Sequence, residues 1–291
     1  MTLRVIIISL VLILTLQHQT LHGQSPWAQG KGHGYGQYVL TVIPSYNVLF
    51  GGSEGSRQTE RFISETILAS YAEIGITDQL TFSLTTPVIS VSTGEASPDV
   101  NPTLPSDNLR SLGNISFSPK YTFGKKSWKF AIQPRIDLPT STRDEVSGLS
   151  TGVNALTILP AASIGNSGDD WYYYGFFGYG FRSNEHNDFL NYGIEGGKHL
   201  DDRLTVIINI TRLENIDNGN PLVDSPANIE TGLYTSFQEF TGYNLKFFVN
   251  DIFKGFGAFA SLGGGFNANS VAASPASVSY THLTLPTTPY V

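Results

Sequence analysis

The residues with most scope for chemistry are charged side chains set inside strand-like runs: Lys120, Lys129, Arg135, Asp137, Arg182, Glu195 and Lys246. Each falls on the polar side of an alternating stretch, where the available chemistry is ion pairing or the steering of ions and solutes. A Lys or Arg facing lipid near a bilayer midplane costs about 2–4 kcal/mol, so these positions are assigned to the interior of a barrel. Bracing is the plainer role for them, because long side chains meet across a narrow lumen. Setting ion and solute preference is the other.

Catalytic and metal-binding arrangements are poorly supplied. Ser183 and His186 are close in sequence, as a hydrolase dyad requires, but they fall in a loop without an orienting group. His33, His186, His199 and His282 are scattered and make neither HExxH nor another metal spacing. Asp144, Glu145, Asp217 and Asp224 lie in long connections, lack the EF-hand pattern and read as a solvated acidic surface. Gly30-Lys-Gly-His-Gly-Tyr-Gly36 has no strand before it, no helix after it and no phosphate-loop spacing. With no cysteine in the chain, disulfides, thiolate metal sites and a cysteine nucleophile are excluded. The expectation is a protein that is not an enzyme and holds no cofactor or metal.

The elements that must position these side chains are strands. Among 291 residues there are 30 Gly, 14 Tyr and 18 Phe, with only 14% charged, a composition that favours turns and β-structure. Lys+Arg 17 against Asp+Glu 24 gives a net charge of −7, which argues against nucleic acid as a partner. Met1 to Gly23 carries Arg4, an apolar run to Leu16 and a small residue at its end, the layout of a cleaved secretory signal peptide. Residues 24–36 then form a flexible periplasmic lead-in. Beyond the first run no apolar stretch is long enough for a spanning helix.

From Gln37 the chain reads as successive strands at Gln37 to Leu49, Arg61 to Ile74, Leu80 to Val91, Gly113 to Phe123, Trp128 to Asp137, Val153 to Gly165, Trp171 to Arg182, Phe189 to His199, Leu204 to Leu213, Gln238 to Val249 and Gly257 to Phe266. Short polar turns at Gly75 to Asp78, Gly124 to Ser127, Asn166 to Asp170, Leu200 to Arg203 and Asn250 to Gly255 alternate with mostly longer loops. That is the layout of an outer-membrane barrel, turns in the periplasm and loops outside. In the hairpin Leu68 to Val91, Leu80, Phe82 and Leu84 are predicted to meet lipid, while Thr81, Ser83 and Thr85 line the lumen. Charge cost turns Glu73 inward. Trp128 and Trp171, each just after a short turn, belong to one interfacial belt.

The start Trp27-Ala-Gln-Gly-Lys-Gly, the hairpin Tyr71 to Thr81 with Pro87, Leu112-Gly-Asn-Ile-Ser-Phe-Ser-Pro-Lys-Tyr121, Leu138-Pro-Thr140, Leu149-Ser-Thr-Gly152 and Gly178-Tyr-Gly-Phe-Arg182 resemble the Gram-negative outer-membrane barrels grouped as the MetA-pathway of phenol degradation, or transporter-like, family. The resemblance covers nearly all of the chain after residue 23. It implies passage of aromatic or other small apolar compounds. The C-terminus departs from it: Val278-Ser-Tyr-Thr-His-Leu-Thr-Leu-Pro-Thr287 resembles translated sequencing adapter. Residues 278–291 are therefore expected to be non-native, with one terminal strand lost.

The sequence thus predicts an all-β, antiparallel up-and-down transmembrane barrel of about twelve strands over residues 37–277. The expected partners are the outer-membrane lipid bilayer and a small-molecule solute, with the oligomeric state left open. The expected function is passive passage of small solutes, aromatic or hydrophobic ones among them. A non-conducting barrel with adhesive outer loops, Ser92 to Leu112 and Asn215 to Phe237, is the alternative.

Overall fold

The computed structural model describes residues 24–51, 55–253 and 256–273 and the backbone of 276–284. The signal-peptide stretch lies outside the described residues, as does the last part of the adapter-like tail. The strands in order are β1 (Gly34–Gly51), β2 (Ser56–Gly75), β3 (Leu80–Ala96), β4 (Asp107–Leu112), β5 (Ile115–Phe123), β6 (Trp128–Ile132), β7 (Arg135–Leu138), β8 (Thr157–Leu159), β9 (Ala161–Ser167), β10 (Trp171–Arg182), β11 (Phe189–His199), β12 (Leu204–Asn215), β13 (Glu239–Phe253), β14 (Phe256–Ala272) and β15 (Ala276–Thr284). Among the described residues one short helix, α1 (Pro226–Thr231), precedes β13.

All pairings are antiparallel, and each stave pairs with the next until the sheet closes on itself. β4 and β5 are halves of one stave, as are β6 with β7 and β8 with β9, so the fifteen segments form twelve staves. Closure is made twice. β15 lies between β14 and β1, and beyond its end β1 pairs β14 directly at Leu49↔Ala272. A sheet edge in lipid would leave a row of backbone groups without partners, which is why a closed ladder is the stable solution. β15 includes the first residues of the stretch read as adapter-like.

Side-chain alternation assigns the two faces. Thr81, Ser83 and Thr85 are buried, while Phe82 and Leu84 are 38% and 42% exposed on the outer surface. Ala69, Tyr71 and Glu73 point inward and Leu68 and Ile74 outward, which fixes the phase of the β2–β3 hairpin. The outer face continues in Ile132, Ile158, Phe177, Ile194, Ile208 and Tyr243, an apolar surface that needs lipid as its solvent. At the short-turn end, Trp171 stacks on Tyr173 with ring centroids 5.5 Å apart, and Trp128 meets Tyr173 edge-on at 6.2 Å. These rings form an interfacial belt.

Two features depart from the sequence reading. Ser92 to Leu112 is not all loop: β3 runs to Ala96, and β4 pairs with it from Val88↔Leu112 to Thr93↔Asp107. The interior is also not uniformly polar. Toward the long-loop end it holds a cluster of Ile43, Tyr46, Leu49, Ile63, Ile89 and Val91, completed by Leu149 and Leu233 from folded-in loops. Alternation predicts which residues share a face, but loops that fold back supply a second apolar partner inside the barrel.

Candidate functional site

The residues just before β1 sit within the barrel. Gln24 Nε2 donates to Asn191 Oδ1 at 3.2 Å, and the Trp27 ring meets Tyr172 and Tyr174 edge-on at 5.7 and 5.9 Å. The Gln29 side chain donates to Glu73 at 2.8 Å, and its backbone N–H donates to Thr81 Oγ1 at 2.9 Å. A Cβ added at Gly75 would lie 2.1 Å from the Gly30 carbonyl, so the close approach of this segment to β2 requires glycine there. Residues 24–33 thus pack against the inward-facing side chains of β2, β3, β10 and β11. Trp27 and Pro26 find apolar contacts only inside, and the glycines let the backbone turn back into β1.

The charged residues expected inside fall into distinct groups. Lys120 Nζ lies 3.3 Å from Glu73 Oε1, and Glu73 also accepts from the Tyr71 hydroxyl. Arg135 grips Asp137 with Nη2–Oδ2 at 3.0 Å and Nε–Oδ1 at 2.9 Å. Lys246 Nζ is 3.6 Å from Glu195, which also accepts from Tyr172. Arg182, at the end of β10, stacks over Phe189 at 4.3 Å and donates to the carbonyls of Asn187 and Ser236. Lys129 is half-buried between outward-facing Trp128 and Phe130. Two of these pairs thus bridge staves on either side of an intervening strand, and Arg135 with Asp137 stays within β7, so the side chains do not gather at one centre.

The other chemical candidates have structural partners. Ser183 Oγ accepts from the Leu156 N–H at 2.9 Å, and His186 Nδ1 is bonded to the Asn184 carbonyl, so the two do not form a dyad. Asp144 caps its own turn through the N–H groups of Ser147 and Val146, which hold its carboxyl below the usual carboxylate range. Asp224 pairs with Arg143 at 3.0 Å and accepts from the Ser236 N–H at 2.6 Å. Among the described residues no three His, Asp or Glu come together as a metal site.

The loops close the other end. In α1, Ser225 caps the first turn and Gly232, at φ 68°, ends it. Thr231 Oγ1 donates to the Gly148 carbonyl at 2.7 Å, Asn187 N–H donates to Ser236, and the Tyr234 hydroxyl bonds Glu65. His186 is buried in this cap beside Arg182, Arg143 and Asp224, and desolvation pulls its pKa below the ordinary value.

One stretch of wall lacks ladder bonds. Register places Phe82, Pro119, Pro134, Pro160 and Tyr179 in a single row across β3, β5, the β6–β7 break, the β8–β9 break and β10. The Thr122 N–H turns to Gln79 and the Gln133 N–H to Ala161, both at 2.8 Å. By alternation, residues 119 and 134 then present their nitrogens to each other. Both are proline, so neither donates. The bonds on either side belong to Phe117↔Ile136 and Tyr121↔Ile132, leaving a gap of about 13 Å at the usual rise per residue. Ser118 Oγ donates to the Pro134 carbonyl at 2.7 Å in place of a missing partner. Directly inside this gap lies a small cavity of about 10 Å³, lined by Gln24, Ser83, Thr85, Ser116, Phe117, Ser118, Gln133, Arg135, Leu159 and Ala161.

Sequence reasoning put Arg135 and Asp137 on one face, as they lie here on β7, but missed Gln24, Trp27, Gln133 and the proline row. The prolines were visible as residues. Their alignment depends on register between staves, which only the closed sheet supplies.

A closed antiparallel barrel with a lipid-compatible outer face is the architecture of an outer-membrane β-barrel. The family model described as putative MetA-pathway of phenol degradation matches residues 46–262, and the chain belongs to that family. Among solved structures it is similar to an outer membrane channel from Pseudomonas putida F1, with a TM-score of 0.67 at 12% identity over 92% of this chain and 100% of that one. The KdgM porin gives 0.46 at 7% identity over 87% and 99%, and the CymD monoaromatic hydrocarbon channel 0.45 at 7% over 88% and 89%. The comparison with curated proteins returns no match. At 12% identity the likeness to the Pseudomonas putida F1 channel is one of fold.

Proposed function

We propose that the protein is an outer-membrane channel for the passive passage of small solutes, with aromatic and other apolar molecules as its cargo. The carrying observation is the position of the cavity at Gln133 and Arg135, directly inside the Pro119–Pro134 gap, in a barrel whose axis is filled at both ends. An open water-filled pore would suit hydrophilic solutes. A filled axis beside a weakened wall suits a molecule that tolerates the bilayer, because parting β5 from β6 and β7 there breaks few hydrogen bonds.

In this reading residues 24–33 are the movable obstruction, and the ion pairs of Lys120, Arg135, Asp137, Glu195 and Lys246 brace the staves around it. Lys129 and Arg182 share the inner face and tune it. Export through a cleaved signal peptide over Met1–Gly23 and a non-native origin for Val278–Val291 belong to the same reading.

The experiment is uptake of N-phenylnaphthylamine, an apolar dye excluded by intact lipopolysaccharide, into Gram-negative cells producing the protein. Uptake should rise above that of cells without it. Pro119→Val/Pro134→Val, which supplies both missing donors, should slow it severalfold at equal surface amount. Uptake no faster than in cells lacking the protein would contradict the reading.

A further inference from the structure

Two buried side chains of the cavity wall carry polar atoms without hydrogen-bond partners. Arg135 Nη2 donates to Asp137 Oδ2, while its Nε, 2.9 Å from Oδ1, and its Nη1 make no hydrogen bond. Gln133 Oε1 has none either. Both side chains are only 7% exposed, and both line the cavity. A buried donor or acceptor left unmade costs free energy, so guanidinium donors and an amide acceptor beside the same small space mark a place for a group that completes them.

The chemistry of that group follows from the pair. It must accept from a guanidinium N–H and donate to an amide oxygen. A hydroxyl does both; a carboxylate cannot donate, and an ammonium cannot accept. Charge points the same way, because Asp137 already neutralises Arg135 at 2.9–3.0 Å and leaves no net positive site. So does size: about 10 Å³ is room for one water-sized group. The rest of the lining includes Leu159 and Ala161, an apolar wall beside the ladder gap, and Gln24 from the N-terminal segment.

We infer that Gln133 and Arg135 form a lumenal subsite for the hydroxyl group of a neutral, otherwise apolar solute such as a phenol or a small alcohol. The hydroxyl takes the water-sized space. The apolar body lies along Leu159 and Ala161 and displaces Gln24, so that loading the subsite loosens the Gln24–Asn191 bond. This rests on the reading of the barrel as a channel for apolar solutes and adds the group by which it selects among them.

The test is fluorine NMR of 4-fluorophenol and 4-fluorotoluene, which differ by hydroxyl for methyl, against the full chain in amphipol with empty amphipol as reference. The phenol should bind saturably and about tenfold more tightly than the toluene, the scale of one completed donor–acceptor pair. Gln133→Met, close in volume, should remove the preference at unchanged melting. Arg135→Lys, whose ammonium stays with Asp137, should remove it too and serves if the first variant fails to fold. 4-Fluorobenzoate should bind no better than the toluene. Equal binding of phenol and toluene, a preference that survives both variants, or tighter benzoate would overturn the inference. Dye uptake without any phenol preference overturns the subsite alone, whereas phenol preference without dye uptake overturns the channel reading and supports the subsite.

Discussion

Lys120 and Glu73 meet inside the barrel, Nζ 3.3 Å from Oε1, with Lys120 only 1% exposed. They come from staves on either side of β3 and tie β5 to β2 across it. Glu73 also receives Gln29, so one carboxylate serves both the wall and the N-terminal segment. Lys120→Met leaves that carboxylate buried without its cation and should destabilise the barrel by about 3–5 kcal/mol. Lys120→Met/Glu73→Gln should recover most of the loss, as read by denaturant unfolding in detergent.

The N-terminal segment is held by close packing at Gly75 and by Trp27 between Tyr172 and Tyr174. Gly75→Val puts carbons where the Gly30 carbonyl now lies and should dislodge it. Trypsin should then cut at Lys31 at least tenfold faster than in the unaltered protein, and Trp27→Ala should shift it the same way by less. Equal cleavage would place the segment's anchor elsewhere.

Acid should loosen the loop cap. Burial lowers the pKa of His186, so its neutral form is the one that fits beside Arg182, Arg143 and Asp224. The stability it contributes is present above the ordinary value of 6.5 and is lost as pH falls through the depressed folded value. Hydrogen exchange over residues 216–238 should therefore quicken as pH falls from 6.5 toward that depressed value, after correction for intrinsic rates, and His186→Gln should flatten the dependence.

The outer face of β3 should reject charge. Phe82→Arg meets lipid and should cost about 2–4 kcal/mol if it lies near the midplane, whereas outward positions by the turns cost less. Phe82→Tyr, a smaller change on the same face, should be within about 1 kcal/mol of the unaltered protein. Heat-modifiable gel mobility after a denaturant series measures both.

Much of this architecture is legible in residue order. Alternation in Leu80 to Thr85 predicts the faces, and turn spacing predicts the staves, because a two-residue period survives any register. Charge cost likewise turns Lys120, Arg135, Glu195 and Lys246 inward. What stays hidden is whatever depends on contact between distant segments. Gln24 reaches Asn191, Leu149 and Leu233 fold onto Ile43 and Val91, and Pro119 falls opposite Pro134. No local pattern encodes those meetings.

The central claim is that solute passes beside the Pro119–Pro134 gap. Phe117 and Ile136 are ladder partners at its edge, and the chain has no cysteine to interfere. Phe117→Cys/Ile136→Cys places two thiols at a separation that a disulfide can span. The most direct measurement is dye uptake by cells carrying this pair, oxidised and then reduced. The account predicts background uptake when the bond is closed and recovery when it is opened; the same fast uptake in both states would contradict it.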